Sequence, residues 1–214
     1  MIIGSPHPDW LSFFNTTFRK CAHQLFIWGY QDSRSRIGPN DQEDDITCFI
    51  AEAIENRLND PGTPREYQEH YDIKEQKPVH SAKRTGKNRQ RIDIVAVCNS
   101  TQPRPEFWFE AKRLKTVVFP ISKYTGYDGM QCYLRCEYAA GCPAAAMVGY
   151  MQNSTPTHWH QELKRVMGSA GNLRVMSNLQ HIQILSSVPN EWVSVHIRDD
   201  NTAISIFHIL LDCT

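Results

Sequence analysis

Glu110 and Lys112 stand one residue apart in PEFWFEAKRL, residues 105–114. Side chains alternate along an extended strand, so this spacing puts both charges and Trp108 on one face while Phe107 and Phe109 point the other way. Either that face is wet and the charges form a surface ion pair, or it lines a site that uses them. Four acidic-x-Lys triplets occur in the chain: Asp72 to Lys74, Glu75 to Lys77, Glu110 to Lys112 and Glu162 to Lys164. Three lie in polar or helical surroundings and read as solvated charge. Only Glu110 and Lys112 lie in a strongly apolar strand, and only they follow another apolar strand, RIDIVAVC, with a carboxylate of its own, Asp93. An aspartate between two isoleucines costs free energy unless it is paired or bound.

Two carboxylates meeting from adjacent strands make a hard oxygen site of the kind Mg²⁺ or Mn²⁺ takes, completed by water and phosphate oxygens. Such a metal lowers the pKa of bound water and neutralises charge developing on a phosphoryl oxygen. Lys112 is placed to orient or help deprotonate that water and to stabilise the transition state. This is the chemistry of phosphodiester hydrolysis.

The surrounding pattern predicts the elements that must hold these residues. Asp9 is a candidate N-cap for a packing helix in which Leu11, Phe14, Phe18, Cys21, Ala22 and Leu25 recur at helical spacing. A second amphipathic helix follows a polar loop, with Ile46, Phe49, Ile50, Ala53, Ile54 and Leu58 on its apolar face, and ends at Pro61 and Gly62. Residues 60–82 lack a sustained period and read as irregular structure or a short helix. RIDIVAVC and EFWFEAKRL form an apparent hairpin around NSTQPRP. DGMQCYLRCEYA reads as a helix of about three turns, AAAMVGYMQ as a buried strand, PTHWHQELKRVMGS as a helix, and residues 191–212 as a closing hairpin that turns at Asp199, Asp200 and Asn201. The class is α/β or α+β in one domain.

Asp93, 16 intervening residues, and Glu110-Ala111-Lys112 resemble the split signature of the PD-(D/E)XK nuclease superfamily. The resemblance implies a restriction-endonuclease-like α/β core of helix, three strands, helix and strand over roughly 43–151, within a catalytic unit spanning 39–152. An N-terminal helical extension (1–38) and a C-terminal helix and hairpin (153–214) flank it. It implies Asp93 and Glu110 as metal ligands, Lys112 as catalytic lysine, and an auxiliary acid from the first core helix. Glu43 is the preferred match, with Ile46 and Ile50 following at the offsets of a buried face, and Glu52 and Glu55 as fallbacks. Ile92 stands where the family name has proline. Gln131 resembles a glutamine that some branches keep in the helix after the catalytic strands, although Arg135 replaces the tyrosine they place four residues later. The implied activity is a Mg²⁺- or Mn²⁺-dependent endonuclease of restriction, defence or DNA-processing type, and the implied assembly a homodimer or a subunit with a partner. The alternative is a catalytically silent nucleic-acid- or partner-binding module of the same fold.

Other features bear on substrate. Lys83, Arg84, Lys87, Arg89 and Arg91 lead into the Asp93 strand with no acid among them. They would set cations where a phosphate backbone passes, or they are a solvated turn. Ser194, His196 and Arg198 alternate on one strand and His208 lies on its partner, either as a phosphate grip or as the wet face of an edge hairpin. Cys132, Cys136, His158 and His160 only sketch a zinc site, since the short Cys-x-x-Cys knuckle is missing. With 214 residues, 41% hydrophobic, and 23 basic against 23 acidic side chains, the chain suits a globular domain whose affinity for a polyanion must be local. An odd number of scattered cysteines, no signal-like leader and no apolar run of about 18 residues point to a cytoplasmic protein without a membrane partner.

Overall fold

Apolar side chains run so continuously through the central strands that both faces of one sheet must be covered, and each face carries its own core. The computed structural model describes residues 8–79, 90–188 and 190–214, with the side chains of residues 8–10 left aside. Seven strands form one mixed sheet: β1 (Tyr71–Pro78), β2 (Arg91–Cys98), β3 (Glu106–Leu114), β4 (Ala144–Met151), β5 (Val175–His181), β6 (Glu191–Ile197) and β7 (Ala203–Asp212). Their spatial order is β1-β2-β3-β4-β7-β6-β5. Strands β3, β4 and β7 are parallel neighbours; β1-β2-β3 and β7-β6-β5 are antiparallel.

One face is covered by α1 (Pro8–Phe13), α2 (Arg19–Ser33) and α3 (Glu43–Asn59), where Phe18, Leu25, Phe26, Ile46, Ile50 and Ile54 pack on Ile94, Ala96, Phe107, Phe109 and Ala111. The other is covered by α5 (Ile121–Tyr124), α6 (Gln131–Leu134) and α7 (Pro156–Ser169), with Tyr124, Tyr133, Trp159 and Leu163 against Val95, Val97, Trp108 and Met147. A short helix, α4 (Arg65–His70), leads into β1. Between 43 and 151 the chain therefore runs helix, a short helix, three strands, two short helices, strand. Gly29 lets α3 approach α2 closely, since a Cβ there would lie 2.6 Å from the Ile50 carbonyl oxygen. That approach sets the position of the helix that begins with Glu43.

The sheet divides locally. β2 and β3 pair from Val97↔Glu106 to Ile94↔Phe109 and no further. Beyond that point β2 stays on β1 as far as Arg91, and β3 stays on β4 as far as Leu114. Asp93 and Glu110 are the first positions past the end of the shared ladder, so their side chains lie where the two strands part.

Several expectations change. Residues 71–78 form an edge strand; only Tyr71, Ile73 and, just past its end, Val79 are buried in that stretch, which hides the strand pattern. β5 is likewise an edge strand with half-exposed alternation. The helix expected over 128–139 is one four-residue turn, because Cys136 and Ala139 adopt left-handed backbone (φ 56° and 50°) and stop it. Asp9 falls inside α1 rather than before it. The closing hairpin is no appendage, for β7 inserts beside β4 in the middle of the sheet.

Candidate active site

Asp93 and Glu110 are 6% and 3% exposed, so the face shared by Glu110 and Trp108 is not wet. Asp93 Oδ2 accepts the Ala111 backbone N–H at 2.7 Å, taking the place of the ladder partner lost where β2 leaves β3. Its Oδ1 accepts from Gln76 Nε2 at 3.2 Å. Gln76 sits in β1 with φ 46°, a left-handed backbone inside an otherwise regular strand, and the ladder on both sides keeps its register. No sequence signal marks Gln76, which lies in a polar stretch without period.

Lys112 Nζ donates to Glu110 Oε1 at 2.7 Å, to Glu43 Oε1 at 2.8 Å and to the Ala111 carbonyl at 2.7 Å. Glu43 Oε2 accepts the Arg113 backbone N–H at 3.0 Å. Glu43 opens α3 together with Asp44 and Asp45, where acids are favoured by the exposed N–H groups of a helix start. It turns outward from its own helix to clamp the β3 strand instead. Expected as an auxiliary metal ligand, Glu43 has both oxygens engaged and serves as the anchor of Lys112.

The electrostatics follow from burial and crowding. Burial raises the Asp93 pKa to about 6, against the lowering pull of Lys112 and the Ala111 N–H. Burial, then repulsion from Asp93, carries Glu110 well above the carboxylate range. Asp93 and Glu110 stand in register one step past the last pair of the β2–β3 ladder, so the two carboxylates leave the same face of the sheet. Burial alone would lower Lys112, but Glu110, Glu43 and Asp93 outweigh it and the net direction is upward. Lys112 is therefore an ammonium at neutral pH, a donor rather than a base.

Glu110 Oε2 is buried with no hydrogen-bond partner. An orphaned carboxylate oxygen in a dry position is costly. If Asp93, Glu110 and Glu43 all ionise, Lys112 leaves two negative charges unbalanced. A divalent cation matches that charge and the oxygen chemistry, with Asp93 and Glu110 as the two carboxylates and solvent or substrate oxygens as the rest. Among the described residues no three His, Cys, Asp or Glu side chains converge as a metal-holding set.

The outer candidates separate from this centre. His196 and Arg198 were expected to grip substrate, but they are fully or almost fully buried, as are Ser194 and His208. Tyr124 Oη, His208, Ser194 Oγ and His196 form an internal chain with contacts of 3.0, 2.7 and 2.7 Å, and His196 Nδ1 donates to the Leu173 carbonyl at 2.7 Å. Burial lowers the pKa of both histidines, His208 strongly. Arg198 Nη2 donates to the Ala139 and Cys142 carbonyls. These side chains tie the hairpin to the sheet face beneath α5 to α7, out of reach of a phosphate backbone. Gln131 Nε2 donates to the Thr125 carbonyl at 3.3 Å, closing the loop before α6. Arg91 is exposed at the start of β2, while Lys83, Arg84, Lys87 and Arg89 lie outside the described residues. The zinc sketch dissolves too: Cys132 is buried beside Arg135, and His160 stacks on Trp192. All seven cysteines are free, and no helix among the described residues is long and apolar enough to cross a membrane.

Comparison with protein-family models, with curated proteins and with solved structures gives no match for this chain.

Proposed function

We propose that the protein is a metal-dependent nuclease of the restriction-endonuclease-like fold, cutting DNA by phosphodiester hydrolysis in a restriction, defence or DNA-processing role. One observation carries the reading: a buried carboxylate oxygen, Glu110 Oε2, is left without a partner where Asp93, Glu110 and Lys112 meet at the division of the sheet. The order helix, three strands, helices, strand, with β4 parallel to β3, supports the fold assignment.

Asp93 and Glu110 would hold a Mg²⁺ or Mn²⁺ ion, which when bound polarises the phosphoryl group and neutralises its developing charge. Lys112 would exchange one of its three Nζ hydrogen bonds for an attacking water or a non-bridging phosphate oxygen, and its charge would stabilise the transition state. Glu43 keeps Lys112 extended along β3 by holding both Nζ and the Arg113 N–H. Gln76 and the Ala111 N–H orient the Asp93 carboxylate. Preorganisation of this kind contributes by fixing reacting groups before substrate arrives.

The test is a cleavage gel on supercoiled plasmid, linear duplex, single-stranded DNA and RNA with Mg²⁺, Mn²⁺ or EDTA, beside Lys112→Ala and Glu110→Ala. Metal-dependent cutting lost in both variants supports the nuclease and names its substrate. A second reading, a silent binding module of the same fold, draws on one feature: Lys112 already bridges Glu110 and Glu43 as a closed ion network. Absence of cutting on every substrate favours it or an activity that needs a missing partner, and cutting that survives both substitutions removes Glu110 and Lys112 from the catalytic site.

A further inference from the structure

Five residues beyond Lys112 the chain turns through a tight tip. Lys115 and Phe119 exchange both backbone hydrogen bonds, at 3.1 and 2.8 Å, and Thr116, Val117 and Val118 form the turn between them. Val117 is 94% exposed and Val118 58% exposed. Val117 also has φ 73°. A β-branched side chain at positive φ is strained, and the position favours glycine or asparagine. Buried valine can offset such strain by packing; here nothing packs on it. The tip therefore breaks two local rules with no return in stability, a conflict that points to function.

The tip is held at several points. The Thr116 N–H donates to Asn153 Oδ1 at 2.9 Å, and Asn153 Nδ2 returns a bond to Thr116 Oγ1 at 2.7 Å. Lys115 Nζ donates to Asn40 Oδ1 at 3.1 Å, and the Arg113 guanidinium lies 3.9 Å over the Phe119 ring. Asn153 follows β4 and Asn40 precedes α3, so the anchors belong to the elements that flank the active site. Arg113 and Lys115 on one side of the tip and Lys123 on the other form no ion pair among the described residues.

We infer that Val117 and Val118 are an apolar wedge that enters a base step of duplex DNA lying across the active site. The inference rests on the nuclease reading. Short apolar side chains partly unstack a step and bend the duplex around the protein. Arg113, Lys115 and Lys123 supply the charge that phosphates on either side of the wedge require. At about 3.3 Å per residue the chain from Lys112 to Val117 spans at most about 17 Å, so the opened step lies within about five base pairs of the cut phosphate. Valine carries no donor or acceptor in its side chain, so the wedge reads deformability rather than base edges and favours pyrimidine–purine steps.

The test uses the full chain and duplexes carrying 2-aminopurine at successive positions, in EDTA and, for a Lys112→Ala background, in Mg²⁺. Wild type is compared with Val117→Asn/Val118→Ser, which suits the left-handed position and keeps the backbone of the tip; thermal denaturation confirms that it folds. The wedge predicts a several-fold fluorescence rise at one or two adjacent positions with wild type, lost in the variant together with about tenfold in affinity. Equal affinity and equal unstacking in the variant overturn it. So does wild-type cutting without unstacking at any position, which leaves the nuclease reading intact. Neither binding nor cutting by wild type removes both. A wild-type dimer that dissociates in the variant while DNA binding is unchanged would make the tip a protein interface and overturn the wedge.

Discussion

Replacing Asp93 with asparagine stabilises the metal-free protein at neutral pH. The side chain is nearly isosteric: the amide oxygen still accepts from the Ala111 N–H, and the Gln76 amide turns to offer its oxygen to the new NH₂. What disappears is a buried negative charge that burial disfavours first and that Glu43 and Asp44 repel. Asp93 moves from an ordinary 3.8 up to about 6 on folding, chiefly by burial, with the pull of Lys112 already included. At about 1.4 kcal/mol per pKa unit, ionised Asp93 destabilises the fold by about 3 kcal/mol. The native state binds more protons than the unfolded chain between these two values, so Asp93 makes wild-type stability fall as pH rises from about 4 to about 6, and Glu110, raised further, extends the fall above that. Asp93→Asn flattens that fall and gains about 2 to 3 kcal/mol at pH 7. Urea unfolding from pH 4 to 8, in EDTA and in Mg²⁺, reads both effects. Added Mg²⁺ should raise wild-type stability and leave the variant unmoved, since only the wild type keeps both carboxylates. A loss of stability in Asp93→Asn at pH 7, or an unchanged pH slope, would refute the reasoning that Asp93 is a repelled buried charge.

Lys112→Met leaves Glu110 buried beside Asp93 without its cation and costs about 3 to 5 kcal/mol at pH 8. The cost shrinks toward pH 5 as Glu110, whose raised pKa climbs further, takes a proton; urea titrations at the two pH values check it. Ser194→Ala strips the shared partner from two fully buried imidazoles and costs about 2 to 4 kcal/mol by chemical denaturation, whereas a change under about 0.5 would mean the internal chain contributes little. Gly29→Ala drives a methyl to 2.6 Å from the Ile50 carbonyl oxygen and costs about 1 to 3 kcal/mol. Because α3 carries Glu43, the same substitution lowers cleavage more than stability alone explains, which a cleavage assay well below the melting temperature would show.

The legible parts of this chain are those whose burial is written in side-chain pattern. β2 and β3 stand out because Ile, Val and Phe run through them, and Asp93 stands out because a carboxylate interrupts them. Glu43 is legible only through Ile46 and Ile50 behind it, with Asp44 and Asp45 as equal competitors by charge. The edge strand β1 is invisible locally, since edge strands bury few side chains and Lys74, Glu75, Gln76 and Lys77 look like loop. Gln76 is beyond reach altogether: a left-handed residue within a strand arises from the sheet around it and leaves no local mark. The His196 and Arg198 alternation misleads for a different reason. Period two reports that two faces differ, and it cannot say that the polar face is buried in a hydrogen-bond chain instead of wet.

The early end of the β2–β3 ladder has a consequence for how the protein can change. Continuing that ladder through positions 93 and 110 would add backbone hydrogen bonds, and an apolar pair there would add packing, so variation that favours robustness alone would zip the strands together and close the parting between them. The parting persists as a seam occupied by two buried acids, and the fold carries it as a standing deficit. Variants selected for heat tolerance should therefore collect changes along α2, α3 and β7 and leave the seam untouched as long as the proposed cleavage is demanded, and close it first when it is not.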